Sequence, residues 1–175
     1  VHFNVPYSSN EGEIRPSEKI DIYPVVQDSI IFKENGKGDD FAVFRLGRNE
    51  LTNKLPGDVN GFFSLSSREI FPGEEVRLIS YGADRDPGEE FKTYTQQTSN
   101  SLIFEVEETY LTYQADSWGG SSGAPVLDKD DFIIGIHTHG DCDAHGGRNS
   151  GTNIYNKREF KEAVVNCLEW ESNNL

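Results

Sequence analysis

Asp116-Ser117-Trp118-Gly119-Gly120-Ser121-Ser122-Gly123-Ala124-Pro125 is a glycine-hinged turn that sets a serine between small residues and delivers the chain into the apolar pair Val126-Leu127. A serine that attacks a carbonyl must project from a tight turn, with backbone N–H groups converging on the oxyanion that develops. Gly120 and Gly123 lack the Cβ that would block positive φ or the approach of a substrate backbone. Ser122 is therefore the candidate nucleophile, and the N–H groups of Gly120 and Ser122 are the candidate oxyanion donors. A Gly/Ser cluster is also ordinary hairpin punctuation, so the flanking chain has to decide between the two.

Working outward, the flanks are rich in strands. Downstream, Phe132-Ile133-Ile134-Gly135-Ile136-His137 reads as a buried strand, and a glycine-rich loop runs over 140–151. One helix closes the chain. Asn156 is placed to cap residues 157–171, whose apolar positions 160, 163, 164, 167, 168 and 170 have the spacing of one buried face. Upstream, residues 75–82 form a strand closing on Gly82, and 91–98, 102–106 and 110–113 read as further strands. Val1-His2-Phe3-Asn4-Val5 alternates like a strand ending at Pro6, and residues 20–26 are β-rich, with Pro24 marking an edge or bulge. After a turn at 35–38, Asp39-Asp40-Phe41-Ala42-Val43-Phe44-Arg45-Leu46 is a compact apolar strand led in by two carboxylates. Short strands at regular spacing, without βαβ alternation, predict an all-β sandwich or barrel. The polar, Gly/Pro-punctuated stretch 47–61 is the expected link, dividing the chain into lobes 1–60 and 61–175.

Composition narrows the function. Thirty acidic against sixteen basic residues in 175 give a formal charge of −14 and a pI near 4.6, which argues against nucleic acid or an anionic membrane as partner. There is no 18-residue apolar run and no charged-then-apolar leader, so Val1 reads as an internal or processed start. Cys142 and Cys167 have no metal-ligand spacing; they form one disulfide or remain two free thiols. The acidic stretches 84–86 and 128–131 do not make a twelve-residue calcium loop and read as solvated turns.

A serine nucleophile needs a base, usually a histidine oriented by a carboxylate. Asp40, at the mouth of its apolar strand, is the candidate orienting group; Asp39 is expected in solvent. Of His2, His137, His139 and His145, only His2 precedes that aspartate. It stands in an alternating strand with no small-residue loop around it and reads as a surface histidine. His137, Thr138 and His139 follow the serine on one strand and are candidates for a pocket wall.

Together these stretches resemble the chymotrypsin-like, or trypsin-like, serine proteases. Asp40-Phe41-Ala42-Val43-Phe44-Arg45-Leu46 is similar to their catalytic-aspartate strand, and Gly120-Ser121-Ser122-Gly123-Ala124-Pro125 to their nucleophile loop. The bacterial glutamyl endopeptidases are the best-fitting subgroup. Asp116 through Pro125, Gly135-Ile136-His137-Thr138-His139-Gly140, the run 146–154 and the closing helix all match its pattern. The resemblance implies two six-stranded antiparallel β-barrels with the active site between them and a C-terminal helix, the first barrel being incomplete here. It implies a secreted endopeptidase acting on protein or peptide substrates, with no cofactor and no metal. Catalysis would fall to Ser122 and Asp40, with oxyanion donors at Gly120 and Ser122. No residue matches the family's histidine motif, so an N-terminal segment or a separate chain would supply it, or the chain is an inactive homologue acting as a binding module. Specificity stays open. Asp116, six residues before Ser122, suits Lys or Arg; His137, with Ser117 adding a hydroxyl, suits Glu or Asp, and the acidic reading is preferred.

Overall fold

The computed structural model describes residues 1–140 and 147–174. Eight strands and two helices order the described residues: β1 Ile31–Glu34, β2 Asp40–Val43, α1 Pro56–Asn60, β3 Glu75–Ser80, β4 Gln97–Val106, β5 Tyr110–Tyr113, β6 Pro125–Asp128, β7 Ile133–His139, β8 Asn149–Asn153 and α2 Arg158–Asn174. Strands β3 to β8 close into a six-stranded barrel in the order β3-β4-β5-β8-β7-β6, antiparallel throughout. Strands β1 and β2 form a separate antiparallel hairpin, pairing Ile31 with Val43 and Glu34 with Asp40. The protein is mostly β with a C-terminal helix, as the strand spacing predicts.

Alternation explains the barrel. On β3, Val76, Leu78 and Ser80 turn inward while their neighbours face out, and Leu78 joins Ile103, Leu111, Val126 and Ile134 in a contiguous core. Closure leaves no free edge, so every strand's backbone is paired and its inner face is dry. A second apolar cluster lies outside the barrel, where Phe41 of β2 meets Phe160 of α2 edge-on at 5.6 Å, with Ala163 and Ile154 beside them.

Several expectations change. Residues 1–5 form no strand; His2, exposed, makes an isolated bridge to Ile22. Residues 20–26 hold a 3-10 turn, Lys19–Asp21, and single bridges rather than a strand. Two carbonyls here accept from a side chain, Asn49 Nδ2 donating to Lys19 and Ile22 at 2.8 and 2.9 Å, while those of Asp21 and Pro24 accept from the N–H groups of Phe3 and Gly47. Residues 91–96 fold as turns, and β4 runs unbroken from Gln97 because Ser99 and Ser101 keep register with β3. Residues 149–151 of the expected loop open a fully buried strand that runs on to Asn153. Leu168 is 68% exposed because the docked face of α2 is that of Phe160, Ala163 and Cys167. Asp39 is not simply solvated; it pairs with the buried Lys157, which immediately precedes α2, and, at 3.0 Å, with Lys33. Asp128 is buried, taking a salt bridge from Arg68 at 3.0 Å and the N–H groups of Asp130 and Phe132.

Candidate functional site

The serine turn is built by the strand that follows it. The N–H of Gly123 donates to the His137 carbonyl and that of His137 to the Ala124 carbonyl, which splices the turn onto β7. Gly120 and Gly123 hold φ of +100° and +89°, in the left-handed region where a side chain would be strained. Ser121 N–H goes to Trp118 and Ala124 N–H to Ser121. Among the described residues, the N–H groups of Gly120 and Ser122 donate to no carbonyl. Ser122 is exposed, its Oγ donating to the Thr138 carbonyl at 3.3 Å.

The hairpin faces this turn. A cavity of about 270 Å³ is lined by Phe32, Asp40, Ser122, Gly123, His137 and Thr138, with Lys33 and Glu34 also at its wall. Asp40 reaches it because strand alternation sends Phe41 and Val43 to the α2 cluster and Asp40 and Ala42 to the other face. The barrel grips the same strand: Thr152 of β8, fully buried, donates its hydroxyl to the Asp40 carbonyl at 2.7 Å.

His137 is 3% exposed, and its Nδ1 lies 2.7 Å from the hydroxyl of Tyr113, itself fully buried. Burial, reinforced by the charge of nearby His139, pulls its pKa down to about 4, so the ring is neutral at pH 7. His139 is exposed and bonds the Thr138 hydroxyl at 2.9 Å.

Asp116 is not brought to this cavity. It lines a different, polar one of about 380 Å³ with Asp84, Asp86, Ser99 and Trp118, and its N–H is held by Ser99 Oγ at 2.6 Å. Ser117 is turned to the barrel, its Oγ accepting from Asn149 at 2.9 Å. His145 and Cys142 lie outside the described residues. The Cys167 thiol is buried, which raises its pKa.

Sequence reasoning missed Tyr113, Asn149 and Thr152. Each acts through a strand far away in the chain, and none carries a local signal beyond the alternation that buries Tyr113.

The family model described as a trypsin-like peptidase domain matches residues 8–136. The chain belongs to that family. Among its relatives, this trypsin-like peptidase domain is similar to the glutamyl endopeptidase of Bacillus licheniformis, 26% identical over 162 residues covering 86% of this chain. It spans 46% of that relative's length. A solved glutamyl endopeptidase superposes with a TM-score of 0.59 at 20% identity, covering 78% of this chain and 61% of the other. Human heparin binding protein, as a double mutant, gives 0.58 at 13% identity, covering 82% and 66%. A scabies mite inactivated protease paralogue gives 0.55 at 12%, covering 91% and 75%. At these identities the superpositions establish the chymotrypsin-like fold alone.

Proposed function

We propose that this domain belongs to a serine endopeptidase that cleaves peptide bonds after acidic residues. The observation that carries the reading is the single cavity holding Ser122, Asp40 and His137. Ser122 Oγ attacks the peptide carbonyl and its proton passes to a histidine outside residues 1–175, which Asp40 orients. The N–H groups of Gly120 and Ser122 receive the oxyanion, and collapse of the intermediate expels the amine with that proton. His137 and Thr138 line the recognition pocket, and the exposed His139 follows them at its edge. Acidic specificity is supported by a histidine in the cavity and by the likeness to glutamyl endopeptidases; Lys or Arg specificity through Asp116 would need that residue in a cavity it does not line. The division at residues 60 and 61 follows from the same reading, the hairpin belonging to the first barrel. An extracellular location also goes with it; no helix among the described residues is long and apolar enough to cross a membrane.

A second reading is an inactive homologue that binds partners, since a scabies mite inactivated protease paralogue shares the fold. The test is hydrolysis by the full-length protein of paired peptides with Glu or Arg before the cleavable bond. We expect the Glu peptide to be cleaved and Ser122→Ala to lower kcat by about 10⁴-fold or more. Cleavage after Arg alone would overturn the role of His137, and no cleavage of either would favour the binding module.

A further inference from the structure

The hydroxyl of Tyr113 sits 2.7 Å from Nδ1 of His137, and both side chains are sealed in the barrel wall between β5 and β7. The two rings are tilted by 51° with centroids 6.0 Å apart, so contact is made through the polar atoms. A phenol is a better donor than acceptor towards a neutral imidazole nitrogen, which carries a full lone pair. An O–H···Nδ1 bond leaves the ring's one proton on Nε2. Because His137 lines the cavity that holds Ser122, that remaining N–H is the group available to a substrate.

We infer that Tyr113 is a positioning residue that holds His137 in the Nε2-protonated tautomer, so that the pocket offers a neutral N–H donor to the carboxylate of a glutamyl or aspartyl side chain. This rests on the endopeptidase reading above and deepens it. Recognition by a neutral donor differs from recognition by an imidazolium: it draws on one directed hydrogen bond, and it does not fade as pH rises through the usual histidine range. The groups around His137 fit this. Beside Tyr113 on β5, Gly151 on β8 carries no titratable group; His139 follows on β7, and Lys33, Glu34 and Asp40 line the far side of the cavity. Burial and the His139 charge both oppose a proton on His137, whereas Lys33 is occupied by Asp39 and Glu159 at 3.0 and 3.2 Å.

The test has a spectroscopic arm that needs no turnover. In full-length protein labelled with ¹⁵N-histidine, with His137→Gln to assign the signals, His137 should show a single Nε2-protonated tautomer, unchanged from pH 5.5 to 8 (from about one unit below to about one and a half units above the free histidine pKa). Tyr113→Phe should mix the tautomers and raise KM for the Glu peptide about fivefold with kcat little changed, the loss expected of one hydrogen bond. A wild-type His137 protonated on Nδ1, or on both nitrogens at pH 7, overturns the inference. So does a Tyr113→Phe protein with wild-type spectrum and KM. If that variant does not fold, the wild-type spectrum decides alone. A full-length protein that cleaves neither peptide sinks the endopeptidase reading, while the spectrum still decides the tautomer.

Discussion

The barrel and the first sixty residues solve the same problem in different ways. From β3 to β8 the chain buries its apolar side chains in one cluster and pairs every strand. Residues 1–60 bury only Tyr23 and Phe41 among apolar side chains, and expose Phe32, Ile14, Leu51 and Val59. What orders them is polar and made point by point. Asn49, 2% exposed, donates to the Lys19 and Ile22 carbonyls and accepts from the N–H groups of Leu51 and Thr52. Ser8 ties the N-terminal stretch to Thr93 at 2.8 Å, and Ser29 accepts from the N–H of Arg45 at 2.9 Å. A closed barrel is thus stabilised as a unit, whereas the N-terminal part is held at separate points.

That contrast breaks or stands on one pair of variants. Leu78→Ala empties a fully buried site in the barrel and should cost about 3 kcal/mol, spread over the whole barrel. Asn49→Ala should cost about 2 kcal/mol by removing four part-buried hydrogen bonds, with faster hydrogen exchange confined to residues near 19–23 and 49–53. Urea unfolding gives the first numbers and hydrogen exchange gives their reach. If Asn49→Ala loosens the barrel amides equally, the two regions are one cooperative unit and the contrast fails.

The same contrast decides what could be read from the sequence. Strands β3, β5 and β7 were legible because a dry inner face imposes apolar alternation or an apolar run. Strand β8, Asn149-Ser150-Gly151-Thr152-Asn153, reads as loop as far as Gly151: it is buried throughout yet carries no apolar side chain. Its burial is met by hydrogen bonds, Asn153 Nδ2 donating to Glu107 at 3.0 Å and Thr152 to Asp40. It is also met by close packing, since a Cβ on Gly151 would lie 2.6 Å from the Ile136 carbonyl. Polar partners distant in the chain leave no periodic trace. The opposite error occurred at residues 1–5, where alternation was present but no strand lay alongside to use it. At the site, the serine turn was legible because its geometry is local, as was the facing of Asp40. The bond from Tyr113 and the diversion of Asp116 to another cavity depend on how strands assemble.

The hairpin is where the two regions meet, and its ionic anchor sharpens the comparison next. Lys157, the residue before α2 and 7% exposed, pairs with Asp39, which Lys33 and Asn35 also contact. The bond from Lys157, with help from Lys33 and Asn35, holds the Asp39 carboxyl well below the usual carboxylate range. Removing one partner of a fully buried pair costs about 3–5 kcal/mol; Asp39 is 24% exposed, so Lys157→Met should cost less, about 1–2 kcal/mol. A depressed folded pKa stabilises above the unfolded value and loses that contribution as pH falls. The gap between wild type and variant should therefore be full above about pH 5 and shrink as pH drops below about 4. A gap that does not change with pH would mean that Lys157 acts through packing alone.

The smallest expected effect bears most on the site. Thr152→Val keeps the branched shape but withdraws the hydroxyl that reaches from the barrel to the Asp40 carbonyl, a loss of about 1 kcal/mol. Little of that should appear in global unfolding, because the barrel core is untouched. It should appear as faster exchange of the β1 and β2 amides and, in the full-length protein, as a fall in kcat larger than any rise in KM, since a displaced carboxylate orients the base less well without altering substrate contacts. Wild-type exchange in the hairpin would show that β2 is held from the helix side, by Lys157 and Phe160, and that the barrel does not position Asp40. Loosened hairpin amides with unchanged kcat would separate the two roles differently, leaving Thr152 as a structural tie and placing the orientation of the base elsewhere.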